Sequence, residues 1–323
     1  MGRIVRPALR LLLIPLPLAA VPRQEERPSG TAPTGRLDCA SCHAEIHAEW
    51  EASLHGRAWK DPIYQAAVKK VTNPASCYPC HVPEPLHTTG LGNLPAARES
   101  DRDSGIHCDA CHLGADGSYH GPYGGKASAH ASVADPLFSD LLRTNELCVT
   151  CHSTRIGPVL PLGKDFEESG GASKGRSCVG CHMEPVERAA ATDPGLADPP
   201  PKRPGRSHAL HSPRDGAFAR KAFSLEVLRS GKQVRVLLKN EAGHRVPGLT
   251  TREFRAKVTL LSSSGAELAS REEVIDHRAF LRVDHDREIA LDAPAGAKRV
   301  RVRIACRQPD GGETPVLEEI RDL

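Results

Sequence analysis

The sequence predicts an α+β protein: a largely irregular, short-helical first part followed by a C-terminal β-sandwich. Three observations carry that reading. Ten of the eleven cysteines fall between residues 39 and 181, in five copies of one short motif that leave little room for a regular sheet. A proline-rich stretch, Ala189 to Ser207, then breaks the chain. Beyond it, apolar and charged residues alternate with the period of two that marks a strand with one buried face.

The chain opens on Arg3, Arg6 and Arg10, an apolar run from Leu11 to Ala20, and the small pair Ala19-Ala20. That order predicts an export signal over residues 1–20. The apolar run is too short to cross a bilayer, and Pro15 and Pro17 disfavour an anchor helix, so no stable membrane insertion is expected. Residues 21–36, with Pro22, Pro28, Gly30, Pro33 and Gly35, read as a flexible leader. The expected location is periplasmic or extracellular.

The five motifs are Cys39-Ala-Ser-Cys42-His43, Cys77-Tyr-Pro-Cys80-His81, Cys108-Asp-Ala-Cys111-His112, Cys148-Val-Thr-Cys151-His152 and Cys178-Val-Gly-Cys181-His182. Cys-x-x-Cys-His is the attachment signature of c-type haem. The two thiols stand one helical turn apart and can form thioethers with the two vinyl groups, while the adjacent histidine meets the iron from one face. Zinc ribbons do not require a histidine after every pair. A disulfide framework does not explain the repeated spacing, and a thioredoxin-like motif occurs once, beside a βαβ pattern absent here. Five covalent c-type haems are therefore expected, with His43, His81, His112, His152 and His182 as proximal ligands. Only 4% of the residues are aromatic, too few for an ordinary core in the first part. Closely packed macrocycles would fill that volume, and residues 37–215 are read as one pentahaem domain.

The second axial ligands come from the remaining histidines, because methionine is nearly absent. Met1 leaves with the signal, and Met183 adjoins His182, too close to reach the opposite face of the same haem and able to serve at most one other, so the irons are expected to be bis-histidine or to have an open site. Histidine on both faces predicts lower haem potentials than methionine would give. Ala44–Trp59 reads as a helix with Ile46, Trp50 and Leu54 on one stripe and His47, Glu51 and His55 on the next. His55 is the leading distal candidate.

Cys42, His43, Trp50, Ser53 and His55, spaced Cys-His-x6-Trp-x2-Ser-x-His, resemble the first haem segment of cytochrome c-554-like multihaem proteins. Gly105-Ile-His-Cys-Asp-Ala-Cys-His112 with His120-Gly-Pro122 is similar to a middle haem segment of that family, though Leu113-Gly-Ala-Asp replaces the usual Gly-Pro-Gly. The resemblance implies His120 as a distal ligand there. Ala129-His130 before Leu147-Cys148, and Met183 after the last motif, also resemble family features. His208-Ala-Leu-His211 resembles the returning segment in which one histidine ligates haem, and His208 is preferred. Asn240-Glu-Ala-Gly-His244-Arg-Val-Pro247-Gly248 resembles the Gly-His-x-x-Pro element of multihaem cytochromes with a C-terminal β domain. There His244 would reach a haem and clip the two domains together. The distal set implied is His55, His120, His130, His208 and His244, with His47, His87, His107 and His211 open as alternatives.

In residues 217–323, Val234, Val236 and Leu238, then Phe254, Ala256, Val258 and Leu260, then Val300, Val302 and Ile304 alternate with Arg or Lys. These strands, separated by turns such as Ser264-Gly265 and Asp310-Gly311-Gly312, predict the sandwich. Arg299, Arg301 and Arg303 read as a solvated strand face, and with a net charge of +3 no nucleic-acid partner is expected. Cys306, outside every motif, reads as a buried free thiol. Together these features predict an exported electron-transfer relay whose partners are other redox proteins, cytochromes or a membrane quinol or oxidoreductase complex. The alternative is a multihaem oxidoreductase acting on a small nitrogen or sulfur oxyanion, or on hydroxylamine, at one five-coordinate haem. Against it, the Cys-x-x-Cys-Lys motif characteristic of the related pentahaem nitrite reductases does not occur.

Overall fold

The computed structural model describes residues 38–126, 130–192 and 200–323. The export signal, the leader and the middle of the proline-rich linker therefore lie outside the described residues.

The first part is built from short helices and tight loops. Each motif ends in a helical turn: Cys39–Cys42, Tyr78–His81, Cys108–His112, Asn145–His152 and Cys178–His182. One turn suffices to put both thiols on one face, since residues i and i+3 are neighbours on a helix. Caps keep such short turns formed. The Ser177 hydroxyl accepts the Gly180 amide at 2.8 Å, and the His107 ring accepts the Asp109 amide. Only small sheets occur among the described residues here: three strands from Tyr119–Gly121, Gly125–Lys126 and Ala131–Ala134, and the hairpin Pro185–Arg188 with Arg203–Arg206.

The helix after the first motif is shorter than the stripe analysis suggests. It spans Ala44–Ala52 and stops where Ser53 turns extended, with φ −74° and ψ 166°. The Ser53 hydroxyl donates to Trp50 O at 2.6 Å and accepts the amides of His55 and Gly56. This hydroxyl competes with the helical ladder and wins. His55 consequently leaves the helix, and His47 and His55 do not share a face.

The second part is an antiparallel sandwich of seven strands. The strands Phe223–Ser230, Gln233–Asn240 and Asp286–Asp292 form one sheet, with Gln233–Asn240 central. Glu253–Leu261, Glu267–Ile275, Arg299–Arg307 and Glu313–Asp322 form the other, with Glu253–Leu261 and Arg299–Arg307 inside. Their alternating residues Val234, Val236, Leu238, Phe254, Ala256, Val258, Leu260, Val300, Val302 and Ile304 are all buried in one shared core. The opposite face of Arg299–Arg307 is charged but paired. Arg301 meets Glu267, Arg303 meets Glu318 at 2.8 Å, and Arg307 meets Glu253 at 3.6 Å. Cys306 is fully buried, with the Gln308 amide 3.4 Å from its sulfur.

Candidate haem sites

Four pairs of imidazoles share one geometry. His43 faces His130, His55 faces His152, His112 faces His208, and His182 faces His244, each with ring centres 6.3 Å apart and planes inclined by 15° to 33°. An iron bonded to both rings at about 2 Å, with each ring centre about 1 Å behind its nitrogen, sets the centres roughly 6 Å apart. The donor set therefore fits haem iron, held between two histidines that come from distant parts of the chain.

Second contacts fix most of these rings. The Nδ1 groups of His43, His112 and His182 donate to the carbonyls of Ala190, His120 and His211 at 2.6, 2.7 and 2.8 Å. Those of His208 and His244 donate to Arg206 O at 3.0 Å and Arg245 O at 2.8 Å. His130 Nδ1 lies 3.2 Å from Ser132 Oγ. Such bonds hold the ring angle and leave Nε2 for metal. Neither ring of the His55–His152 pair has a hydrogen-bond partner among the described residues. Burial, reinforced by the imidazoles His152, His182 and His81, lowers the pKa of His55 to about 3. Burial lowers that of His152 to about 4. His152 nonetheless keeps accessible surface, and His55 is half-buried.

The backbone around the distal rings is specific. The Trp50 indole donates to Ile106 O at 2.8 Å, and the Ile106 amide donates to His55 O at 3.0 Å. Gly105 makes this approach possible: its φ is +57°, and a Cβ there would stand 2.5 Å from His55 O. Glu49 accepts the His208 amide at 2.7 Å and takes a two-pronged ion pair from Arg188 at 2.8 Å on both oxygens. Burial opposes the charge on Glu49, but Arg188, the His208 amide and Ser207 outweigh it and hold the carboxyl below its usual range. His244 is carried by a loop of the sandwich. Asn240 folds that loop by donating to the carbonyls of His244 and Leu281, each at 2.9 Å, and by accepting the Ala242 amide at 2.8 Å. Arg245, its neighbour, forms a two-pronged ion pair with Asp165 of the first part.

His81 is placed differently. Its Nδ1 donates to Ala58 O at 2.8 Å, and the Tyr64 ring stacks on it at 3.8 Å and 16°. Among the described residues, no imidazole stands opposite His81 at the spacing of the other four. Tyr64 is buried with an unpartnered hydroxyl, and its place follows from Asp61, which caps the helix Pro62–Val68 and pairs with Arg214. Tyr64 is the contact that sequence reading missed; the Asp61-Pro62 helix start, which sets Tyr64 three residues beyond the cap, was its only signal.

His120, expected to be a distal ligand, is not brought opposite any motif histidine. Asp135 holds its Nδ1 at 2.9 Å and Asp116 its Nε2 at 3.4 Å, so the carbonyl of His120, and not its ring, faces His112. His87 packs beside it and bonds Cys111 O. His47 and His107 pack on Trp50, and His211 packs on Phe218 and pairs with Asp215.

The thiols of different motifs adjoin. Cys39 and Cys108 sulfurs lie within 4.8 Å of each other, and Cys80–Cys151 and Cys148–Cys178 are within hydrogen-bond reach. Cys111 is close enough to both Cys148 and Cys151 to act on them electrostatically. The attachment points thus run from the first motif to the third and on to the fourth, where the second and fifth branch off.

Clustered Cys-x-x-Cys-His turns define a multihaem c-type cytochrome, an electron-transfer protein with covalently bound haem. Over residues 38–113 the chain matches a family profile described as "Cytochrome c554 and c-prime". In fold it is similar to a penta-heme cytochrome c552 from Thermochromatium tepidum, with TM-score 0.62 and 18% identity over 88% of this chain and 97% of that one. A superoxide reductase structure aligns over 32% of this chain and 87% of its own at 13% identity, but its TM-score of 0.22 carries no argument. No curated protein matches the chain.

Proposed function

We propose that the chain is an exported electron relay of five haems, four closed by two histidines each and one, at Cys77, Cys80 and His81, without a second histidine. The single observation that carries this reading is the 6.3 Å spacing shared by four ring pairs, each containing one motif histidine. The haems occupy residues 37–215, with residues 217–323 as a β-sandwich domain that lends His244. Bound haem supplies the one-electron ferric–ferrous couple. Paired imidazoles keep the same ligands in both states, which suits carrying over catalysis. Export is supported by the character of residues 1–20 and fits haem attachment outside the cytoplasmic membrane. No helix of the described residues is long and apolar enough to cross a membrane.

A second reading, reduction of a small nitrogen oxyanion or hydroxylamine, is favoured by the placement of His81 alone. Its imidazole is braced by Tyr64 and Ala58, with no imidazole opposite it among the described residues. Electron paramagnetic resonance of the oxidised protein tests both readings. We expect four low-spin irons and one high-spin iron, five haem additions in the intact mass, and carbon monoxide binding at one haem after reduction. Five low-spin irons would remove the odd site. Steady turnover of nitrite or hydroxylamine with an artificial donor would make the protein an enzyme.

A further inference from the structure

The four clasped sites differ in ways that set their affinity for an electron. On the ligation proposed above, two separate features single out the site of His55 and His152, and both act in the same direction.

The first is the ligands' own hydrogen bonding. An imidazole whose Nδ1–H is bonded to a carbonyl gains basicity and favours the more highly charged ferric iron. His43, His81, His112, His182, His208 and His244 each have such an acceptor, and His130 has the Ser132 hydroxyl. Neither ring of the His55–His152 pair has one among the described residues, so both are the weaker donors.

The second is company. The fourth motif is the junction of the network: Cys151 adjoins Cys80, Cys148 adjoins Cys178, and Cys111 acts on both. Around the pair stand His81, His182 and His244. A ferric centre among several others is raised in energy by their like charge and gains most by accepting the first electron.

We propose that the His55–His152 site has the highest midpoint potential of the four closed sites, so that an electron arriving by any branch comes to rest at the junction. The protein is then a collector as well as a relay: its terminal haems load a central one, which holds charge until an acceptor docks.

The experiment is a stepwise reduction of the oxidised holoprotein with dithionite, followed by electron paramagnetic resonance, on the unaltered chain and on His55→Met. The variant identifies the signal that belongs to this site, because its low-spin signature is altered or lost. In the unaltered chain that signal should be the first of the low-spin set to vanish. If it outlasts any other low-spin signal, the inference is overturned. Should the variant fail to mature, nuclear magnetic resonance of the unaltered protein, labelled at histidine, gives the same order: the two ring signals that lack a hydrogen-bonded Nδ1 proton should turn diamagnetic first, and their turning later overturns the inference equally. The count of low-spin signals before any reduction tests the ligation, so failure of that reading is distinguishable from failure of this one.

Discussion

A carboxylate that touches no iron decides where His208 stands. Glu49 sits on the helix behind the first motif, yet it grips the amide of His208 and the guanidinium of Arg188, which also reaches Arg206 O at 3.2 Å. Glu49→Ala should cost about 2 kcal/mol, as charged hydrogen bonds of this kind do. It should also convert part of one low-spin signal to high spin, while Glu49→Asp recovers some of it. An unchanged spectrum at lowered stability would show that Glu49 only braces the fold. Asp61 gives a pH-dependent counterpart. Burial opposes its charge, but Arg214 and the amides of Tyr64 and Ile63 outweigh that and hold the carboxyl below its usual range. Its contribution is therefore complete above the ordinary aspartate pKa of about 3.9 and is lost as pH falls through the lower folded value. Asp61→Asn should melt below the unaltered protein at pH 7, with the gap closing under strong acid. A gap that stays constant with pH would refute the shift. At this scale the motifs were plain in the sequence, and the resemblance pointed to His130, His208 and His244, which with His55 now stand opposite motif histidines. His120 was expected from the resemblance alone, whereas Asp135, fifteen residues on, claims the ring.

Among the elements, the sandwich was legible because alternation reports burial directly, and every strand residue used to infer it lies in the core. The helix after the first motif was not, because periodicity cannot see a serine hydroxyl competing for Trp50 O. The two parts meet through elements that have no periodic signature at all. Helix Leu162–Glu168 packs Phe166 against Gly243, where a Cβ would sit 2.6 Å from the ring. Ser169 bonds Gly243 O at 3.0 Å, and Thr250 bonds Pro158 O at 2.9 Å. On the proposed ligation, the sandwich therefore governs one haem ligand. Leu260→Ala, at a fully buried position, should cost about 3 kcal/mol. On heating this variant, one low-spin signal, that of His182 with His244, should fail together with the sandwich while the others persist. Simultaneous loss of all four would mean that the two parts melt as one unit.

For the molecule as a whole, the proposed ligation makes the histidine pairs cross-links between distant segments, doing for the first part what a core does for the sandwich. Among the described residues, the other buried apolar cluster is small, around Leu86, Leu137 and Leu147. The three-way arrangement of attachment points was beyond reach of the sequence, since motif order along the chain says nothing of order in space. The pairs also have a direction in time. On the proposed ligation, a ribosome delivers His43, His112 and His182 before their partners His130, His208 and His244. Each of those haems, once attached, would wait with one bare face until later chain arrives. His152 alone finds its partner, His55, already made. The junction is thus the one site that can close as soon as its motif emerges, whereas the His43–His130 site, first in the order of closure, waits for chain beyond its own motif and the His182–His244 site waits for the sandwich.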